Sequence, residues 1–263
     1  MKPKALVLHA TGTNRDQDAA EALRLAGAEP EIVHLNQFRA GERRWETYQM
    51  LVIPGGFSYA DALGAGRLFA LDLKAYFAEE VHRFVEAGKP VIGICNGFQA
   101  LVKAGILPGP PKEGASREAL RATLTFNSSG HFECRWVTLA KRSETCIWTR
   151  RLPEPIYCPV AHGEGNFLLE QEEMVAELFK RDQVALVYAL PNGAPAEGSY
   201  PENPNGSMGD IAGLCNPGGN VLGLMPHPEN HIHPSQHPRA TRGETAGSGL
   251  ALFQNGVRYA HAR

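Results

Sequence analysis

Short apolar runs alternate with amphipathic stretches in the first part of the chain, and this alternation predicts repeated strand–helix units. The apolar runs are continuous, as is typical of parallel strands that are covered on both faces. The predicted strands are Lys4–Leu8, Glu31–Leu35, Gln49–Pro54 and Lys89–Ile94. Leucine and alanine at helical spacing predict helices over Asn14–Gly27, Leu71–Ala87 and Asn96–Ala104. Strands that alternate with helices indicate parallel βαβ units.

The second half of the chain shows a different pattern, with extended segments that are not separated by long helices. The predicted extended segments are 123–139, 156–170, 184–190 and Val221–Met225, and the predicted helices are Glu172–Lys180 and Gly249–Ala260. Two stretches read as loops, Pro108–Arg117 and His231–Gly247. We therefore expect a single α/β domain over residues 1–263, with a mostly parallel central sheet, flanking helices and an added antiparallel portion. Loop insertions are expected near 108–121 and 231–248.

The composition is that of a globular protein and argues against two kinds of partner. The chain has 263 residues, of which 43% are hydrophobic and 21% charged, and its net charge is −2. It has no basic excess to neutralise a phosphate backbone, so we expect no nucleic-acid partner. No apolar run approaches the roughly 18 residues that a membrane-spanning helix needs. The N-terminal stretch Met1–Gly12 reads as a first strand rather than a signal peptide.

The cysteine pattern favours a reducing compartment. The five cysteines are an odd number in a chain of ordinary size, and they form no C-x-x-C pair. A disulfide framework and a zinc ribbon are therefore both unexpected, and a cytoplasmic location is predicted.

The most specific chemical feature is the segment Gly93-Ile94-Cys95-Asn96-Gly97, which lies between a predicted strand and a predicted helix. A nucleophile on a tight strand-to-helix turn needs small neighbours two positions away on each side. This placement also brings the Cys95 sulfur to a helix N-terminus, which favours the thiolate. A buried structural cysteine beside turn glycines is the alternative. The agreement of strand, glycines and helix favours a nucleophile.

A thiolate nucleophile needs a base and a group that orients the base. His227 and Glu229 follow directly on the predicted strand Val221–Met225, with Pro228 between them. If the segment is extended, both side chains point to the same side. We expect His227 to transfer protons and Glu229 to fix its tautomer. The alternative is a surface histidine in a proline-rich turn.

A third element is the glycine pair Gly55-Gly56 at the end of a predicted strand. Ligands bind at the carboxyl ends of parallel strands. A backbone N–H in a Gly-Gly turn there can stabilise an oxyanion, and the Asn96 N–H is the expected second donor.

In this combination the sequence resembles the class I, triad-type glutamine amidotransferases. The resemblance narrows to one family, the glutaminase subunits of phosphoribosylformylglycinamidine synthase, and runs from about Val7 to Tyr259. It is carried by VIPGGFSYADALGAG, GICNGFQALVKAGILPG, FECRWVTL, VAHGEGNF, NPNGSMGDIAGLCNPGGNVLGLMPHPE and GLALFQNG.

The resemblance implies a flavodoxin-like α/β fold with one glutamine amidotransferase domain over residues 1–263. It implies Cys95, His227 and Glu229 as the catalytic triad, Gly56 and Asn96 as oxyanion positions, and Gln99 as a contact to the substrate glutamine. It further implies that ammonia passes to a separate synthetase subunit, with a small accessory subunit in the complex. That partner would use ATP, Mg and formylglycinamide ribonucleotide in purine biosynthesis. No P-loop motif occurs in this chain, so we expect no cofactor or metal on it.

Two departures and several alternatives accompany this interpretation. Asn230 stands where the class often has arginine, and the loops 108–121 and 231–248 are longer than in compact members. A metal-binding or sensory protein is one alternative, because four histidines crowd into HPENHIHPSQH. A peptidase-like enzyme with the same nucleophile elbow is a second alternative, although such enzymes typically have histidine where Asn96 stands. An inactive scaffold is a third alternative, and the intact set of Cys95, His227 and Glu229 argues against it. The cluster Ala161–Gly165 is interpreted as an interface or channel contact.

Overall fold

The computed structural model describes residues 1–110, 121–152 and 155–263. Eleven strands are present in these ranges: β1 (Lys4–His9), β2 (Glu29–His34), β3 (Met50–Ile53), β4 (Val91–Ile94), β5 (Ala122–Thr125), β6 (Glu133–Lys141), β7 (Ile156–His162), β8 (Asn166–Leu169), β9 (Val184–Ala189), β10 (Ile211–Cys215) and β11 (Val221–Leu224). The same ranges contain seven α-helices: α1 (Asp16–Leu25), α2 (Leu35–Arg39), α3 (Arg67–Tyr76), α4 (Ala78–Glu86), α5 (Asn96–Lys103), α6 (Met174–Lys180) and α7 (Leu250–His261).

Nine of these strands form one mixed sheet within the described ranges, in the order β2-β1-β3-β4-β11-β10-β9-β6-β7. The strands from β2 to β11 pair in parallel, and those from β11 to β7 pair antiparallel. The predicted α/β architecture is thus confirmed, but the antiparallel portion is as extensive as the parallel one and continues the same sheet. The antiparallel strands β5 and β8 form a separate pair.

Burial explains why the central strands are readable from sequence. Strands β3, β4 and β11 are buried at every position, and they are short and continuously apolar. Helix α5 packs against β3, β4 and β11, and its other side contacts α3. The carboxyl ends of β3, β4 and β11 therefore meet at one edge of the sheet, beside the start of α5.

The single helix predicted over Leu71–Ala87 is wrong. The structure has two helices, α3 and α4, which break at Phe77, where φ is −131°. The break turns the Phe77 ring into the core, where it lies 5.6 Å from the Trp45 ring and 6.3 Å from the Phe38 ring. Aromatic packing of this kind offsets the loss of helical continuity, and periodicity alone does not reveal it.

The remaining differences concern turns within extended segments. The segment 123–139 divides into β5 and β6, the segment 156–170 divides into β7 and β8, and β10 was not predicted. The predicted loop His231–Gly247 contains two short 3₁₀ turns, Pro234–Gln236 and Ala240–Arg242. Most of the loop predicted near 108–121 lies outside the described residues. Within the described part of the chain, no helix is long and apolar enough to cross a membrane.

Candidate active site

Cys95 occupies a strained turn between β4 and α5. Its backbone φ is 50°, in the left-handed region that a residue with a Cβ seldom adopts. The turn leaves no room for larger neighbours, because a Cβ at Gly93 would lie 2.7 Å from the Gly97 carbonyl oxygen. The Cys95 N–H donates to the Leu224 carbonyl at 2.8 Å, which ties the turn to β11. This is the geometry of a nucleophile elbow.

The Cys95 side chain lies at the N-terminus of α5 and is 5% exposed. N–H groups in the first turn of a helix have no partner within the helix, and the dipole there favours negative charge. The Cys95 Sγ lies 3.8 Å from the carbonyl oxygen of Ala161, at the end of β7. Strand β7 therefore closes one side of the nucleophile.

His227 and Glu229 form a buried pair directly after β11. The His227 Nδ1 lies 2.7 Å from the Glu229 Oε1, and the side chains are 4% and 0% exposed. The extended conformation predicted for this segment is wrong. A 3₁₀ turn begins at Pro228, whose fixed φ suits the first position of a helical turn, and Glu229 folds back onto His227 within that turn.

The structure brings His227 and Glu229 together with Cys95. The Cys95 sulfur lies close enough to His227 to act on its imidazole electrostatically. A Cβ on Gly55 would lie 2.7 Å from the His227 Cε1 and 3.4 Å from the Cys95 Cβ, so the glycine loop packs on both. Burial lowers the pKa of His227, but the Glu229 carboxylate and the Cys95 sulfur outweigh it and raise this pKa to about 10. The Glu229 carboxylate thus favours the imidazolium form of His227 beside the nucleophile.

Gly56 lies in the loop that follows β3, on the other side of the nucleophile. Its φ is 134°, and a Cβ there would lie 2.6 Å from the Asn14 backbone nitrogen. Among the described residues, none accepts a hydrogen bond from the Gly56 N–H. Gly56 and Cys95 line the same cavity, so this N–H remains available to a ligand.

The cavity beside Cys95 has a volume of about 150 Å³ and is lined by Gly56, Asp61, Cys95, Gln99, His162 and Glu164, among others. Three partly exposed phenylalanines, Phe57, Phe126 and Phe132, also line it, and the rings of Phe57 and Phe132 stack 6.5 Å apart. This size suits a small polar molecule. A larger cavity of about 580 Å³ lies beside α3 and α4 and contains none of the predicted site residues.

Gln99 lines the cavity, but its amide is occupied within the chain. Its Nε2 donates to the Glu164 carbonyl at 2.7 Å, and its Oε1 accepts from the Asn96 Nδ2 at 3.0 Å. Gln99 therefore holds the Glu164 segment against α5. The direct substrate contact predicted for it remains a prediction.

Two carboxylates, Asp61 and Glu164, line the cavity, and Lys103 lies close to Glu164; the sequence analysis singled out only the segment of Glu164. The Glu164 Oε1 accepts from the Ala65 N–H at 3.1 Å, and its Oε2 lies 3.8 Å from the Lys103 Nζ. Burial and the Glu164 charge raise the pKa of Asp61. Burial lowers the pKa of Lys103. Neither Asp61 nor Lys103 lies in a motif whose spacing points to chemistry, so no sequence signal marks them.

His162 is a buried, neutral member of the same wall. Its Nδ1 lies 3.1 Å from the Asn127 Oδ1, and the Asn127 amide nitrogen donates to two carbonyls, so His162 carries its proton on Nδ1. Burial, followed by the charge on His227, lowers the pKa of His162 to about 3. The position of His162 does not test the interface or channel role predicted for Ala161–Gly165, which remains a prediction.

Two other histidines of the C-terminal loop, His231 and His237, pack against aromatic rings. The His231 Nδ1 donates to the Tyr157 carbonyl at 2.6 Å, and its ring lies 5.5 Å from that of His237 and 5.3 Å from that of Trp136. In the described ranges, no group of three or more His, Cys, Asp or Glu side chains could hold a metal ion. Asn230, the departure noted above, donates to the Asp18 Oδ2 at 3.0 Å and joins the site loop to α1.

An α/β sheet with a cysteine elbow, a histidine–carboxylate pair and a glycine loop defines the class of triad-type glutamine amidotransferases. Comparison with known proteins agrees with this class, because residues 2–260 match a family model described as a CobB/CobQ-like glutamine amidotransferase domain. The chain belongs to this family of glutamine amidotransferases, in the group of the phosphoribosylformylglycinamidine synthase PurQ subunits.

Three relatives support this grouping over almost the whole chain. The phosphoribosylformylglycinamidine synthase subunit PurQ of Treponema denticola is 57% identical, covering 98% of this chain and 99% of the relative. The same subunit of Dehalococcoides mccartyi is 44% identical, covering 98% of both. A chain in the structure of PurLQS from Thermotoga maritima has a TM-score of 0.72 and 32% identity, covering 98% of this chain and 99% of its own length.

Proposed function

We propose that this chain hydrolyses glutamine to glutamate and ammonia, with Cys95 as nucleophile, His227 as proton-transfer group and Glu229 as the group that orients and charges His227. The observation that carries the proposal is the contact of these three side chains beside a cavity of about 150 Å³. A thiolate beside an imidazolium is the reactive form of a cysteine nucleophile, and the charge of Glu229 favours the imidazolium.

The first half of the reaction forms a thioester. The Cys95 thiolate attacks the side-chain amide carbon of glutamine, and the carbonyl oxygen becomes an oxyanion. The backbone N–H groups of Gly56 and Asn96 stabilise that charge. The tetrahedral intermediate collapses, the C–N bond breaks, and His227 donates its proton to the leaving nitrogen, so that ammonia is released.

The second half of the reaction consumes water. His227, now neutral, accepts a proton from a water molecule as its oxygen attacks the thioester carbon. The resulting intermediate collapses to glutamate and the Cys95 thiolate, and the proton remains on His227. The site thereby returns to its starting charge state, and one water is consumed for each ammonia released.

The charges of the cavity wall suit the α-ammonium group of glutamine. Glu164 brings a carboxylate to this small cavity, and its negative charge is the one that we expect to face the substrate cation. The role proposed for Gln99 is to hold the Glu164 segment at the substrate. Glu164→Gln should therefore raise KM for glutamine more than it lowers kcat.

We further propose that the ammonia passes to a separate synthetase subunit, which makes formylglycinamidine ribonucleotide for purine biosynthesis and works with a small accessory subunit. The names of the relatives support this assignment, since PurQ is a subunit of phosphoribosylformylglycinamidine synthase and the Thermotoga structure is of PurLQS. ATP and Mg would bind the synthetase subunit, this chain would need no cofactor, and the complex would work in the cytoplasm. A metal-sensing function has no supporting ligand group among the described residues.

The experiment that tests this function is a glutaminase assay of the chain alone and with its synthetase and accessory subunits, ATP and formylglycinamide ribonucleotide. Glutamate and formylglycinamidine ribonucleotide should form in equal amounts in the complete mixture. Absence of glutamate in the complete mixture contradicts the proposed activity. Glutamate without the ribonucleotide product contradicts the proposed partner alone.

A further inference from the structure

The two proposed oxyanion donors lie on different elements, which need a fixed separation. Gly56 belongs to the loop after β3, and Asn96 is the first residue of α5. Stabilisation of an oxyanion depends on donors that lie about 2.7–3.1 Å from it, so a small displacement of either donor weakens the effect. A connection between the loop and the helix is therefore a functional requirement, and the carboxamide side chain of Asn96 supplies it.

The Asn96 side chain is 2% exposed and uses its whole hydrogen-bonding capacity inside the chain. Its Oδ1 accepts from the Ser58 N–H at 3.3 Å and from the Ser58 hydroxyl. Its Nδ2 donates to the Asp61 Oδ1 at 3.0 Å and to the Gln99 Oε1 at 3.0 Å. One carboxamide thus joins the glycine loop to the helix that begins at the nucleophile.

The loop segment that holds Asn96 is itself in an unfavourable conformation. Tyr59, Ala60 and Asp61 have φ values of 55°, 54° and 52°, three successive left-handed residues without a glycine among them. Surrounding contacts maintain this turn: the Tyr59 N–H donates to the Thr11 carbonyl at 2.6 Å, and its hydroxyl bonds to Asp72. Strain kept at one place beside an active site points to a role for that place. Here the left-handed turn directs the Asp61 carboxylate to Asn96.

We propose that the Asn96 carboxamide, held by Ser58 and Asp61, is a positioning group that fixes the Gly56 and Asn96 N–H groups relative to each other. This inference rests on the proposed glutaminase function. It assigns the side chain of Asn96 a task separate from that of its backbone N–H, and it makes Asp61 a positioning residue as well as part of the cavity wall.

Four variants, assayed in the complex with the synthetase subunit, test the proposal. Asn96→Ala and Asp61→Ala remove the side-chain bonds but keep the backbone donors. Asp61→Asn keeps an acceptor oxygen, and asparagine tolerates a left-handed φ. Ala60→Gly is the matched control, because it changes the neighbouring left-handed residue, relieves its strain and leaves every bond of Asn96 intact.

Two rates are compared for each variant: the kcat of glutamine hydrolysis and the rate of Cys95 alkylation by iodoacetamide. Alkylation forms no oxyanion, so it reports the nucleophile without the donors. We expect Asn96→Ala and Asp61→Ala to lower kcat by about 10- to 100-fold, as misplacement of reacting groups does. KM and the alkylation rate should change by less than about 3-fold, a split expected when only transition-state contacts are lost. Asp61→Asn should recover most of kcat, and Ala60→Gly should match the wild type.

Three outcomes would overturn the proposal. A parallel fall of alkylation and kcat would place the defect at the nucleophile. A rise in KM with unchanged kcat would assign Asp61 to substrate binding alone. Equal losses in Asp61→Asn and Asp61→Ala would show that charge, and not the hydrogen bond, matters. If Asn96→Ala does not fold, the two Asp61 variants decide alone. A wild-type complex without glutaminase activity would instead contradict the proposed function.

Discussion

The Nδ1 atom of His227 lies 2.7 Å from the Oε1 of Glu229, and both side chains are almost entirely buried. This contact fixes the orientation of the imidazole and raises its pKa. It also leaves the second oxygen of Glu229 without a hydrogen-bond partner among the described residues. Glu229 therefore directs its charge at His227, and the contributions of the two residues can be separated by substitution.

We predict that His227→Ala lowers kcat for glutamine hydrolysis by about 10²–10⁴-fold, the usual cost of losing a proton-transfer group. Glu229→Gln should lower kcat less than His227→Ala does. The glutamine side chain still accepts a hydrogen bond from the His227 Nδ1, and only the negative charge is lost. Steady-state kinetics of the two variants in the complex check the order. Turnover near the wild-type rate in His227→Ala would require a different base. His162, which lines the same cavity, would be the first residue to test as that base.

The raised pKa of His227 also predicts how stability depends on pH. Its folded-state pKa of about 10 lies above the ordinary value of 6.5, so the folded state binds the proton more tightly than the unfolded state does. Protonation of His227 therefore makes its full contribution to the free energy of unfolding below about pH 6.5, and this contribution is lost as pH rises toward 10. Urea unfolding of wild type and His227→Gln at pH 6, 8 and 9.5 measures this. The difference in free energy of unfolding between wild type and His227→Gln should shrink as pH rises. A constant or growing difference would contradict the assigned charge state of His227.

Selective labelling tests the reactivity of the nucleophile among the five cysteines. A glutamine analogue that carries a chloroketone should label Cys95, because this thiol lies in the cavity at a helix N-terminus. Cys146, Cys158 and Cys215 are buried and do not line this cavity, and Cys134 is exposed without such surroundings. Peptide mapping after brief labelling, with Cys134→Ser as control, gives the distribution. Equal labelling of several cysteines would contradict the assignment.

The glycine loop predicts activation by the partner. Gly56 has a backbone conformation that a Cβ would resist, so its peptide can reorient more easily than others. We expect its N–H to point away from the substrate oxygen in the free chain and to turn inward when the loaded synthetase docks. The bonds of Asn96 to Ser58 and Asp61 would then hold the Gly56 N–H in that inward position relative to the Asn96 N–H. Glutaminase kcat should then be about 10²–10³-fold higher in the complex, which is the effect on kcat that one oxyanion donor typically has. Equal kcat values for the free chain and the complex would rule out this control.

Gly56→Ala provides the matched variant for that prediction. A Cβ at this position meets the Asn14 backbone at 2.6 Å, so the loop cannot keep its conformation. We expect kcat in the complex to fall by about 10²–10³-fold, to the level of the uncoupled chain. Stimulation by the partner should disappear with it. A variant that still responds to the partner would place the switch elsewhere.

The sequence predicts those parts of the fold and site that short-range rules govern. Strands such as Val91–Ile94 are continuously apolar because both faces are covered, and the glycines around Cys95 follow from the tight turn. The contacts among Cys95, His227 and Glu229 depend on the order of the central strands, which only the resemblance made predictable. The contacts of Lys103 and the left-handed turn at Tyr59 depend on long-range packing, and no local pattern predicts them. His162 was singled out only as part of the cluster Ala161–Gly165, and its buried, neutral state also depends on long-range packing.

The most direct test of the central claim is to trap the glutamyl thioester. The complex, loaded with ATP and formylglycinamide ribonucleotide, is mixed with radiolabelled glutamine and quenched in acid within milliseconds, and its peptides are mapped. The wild type should carry label on the peptide that contains Cys95. Cys95→Ala should carry none and should hydrolyse no glutamine, while ammonia-dependent synthesis by the partner continues. Label on another residue, or glutamine hydrolysis that persists in Cys95→Ala, would contradict the assignment of Cys95 as the nucleophile.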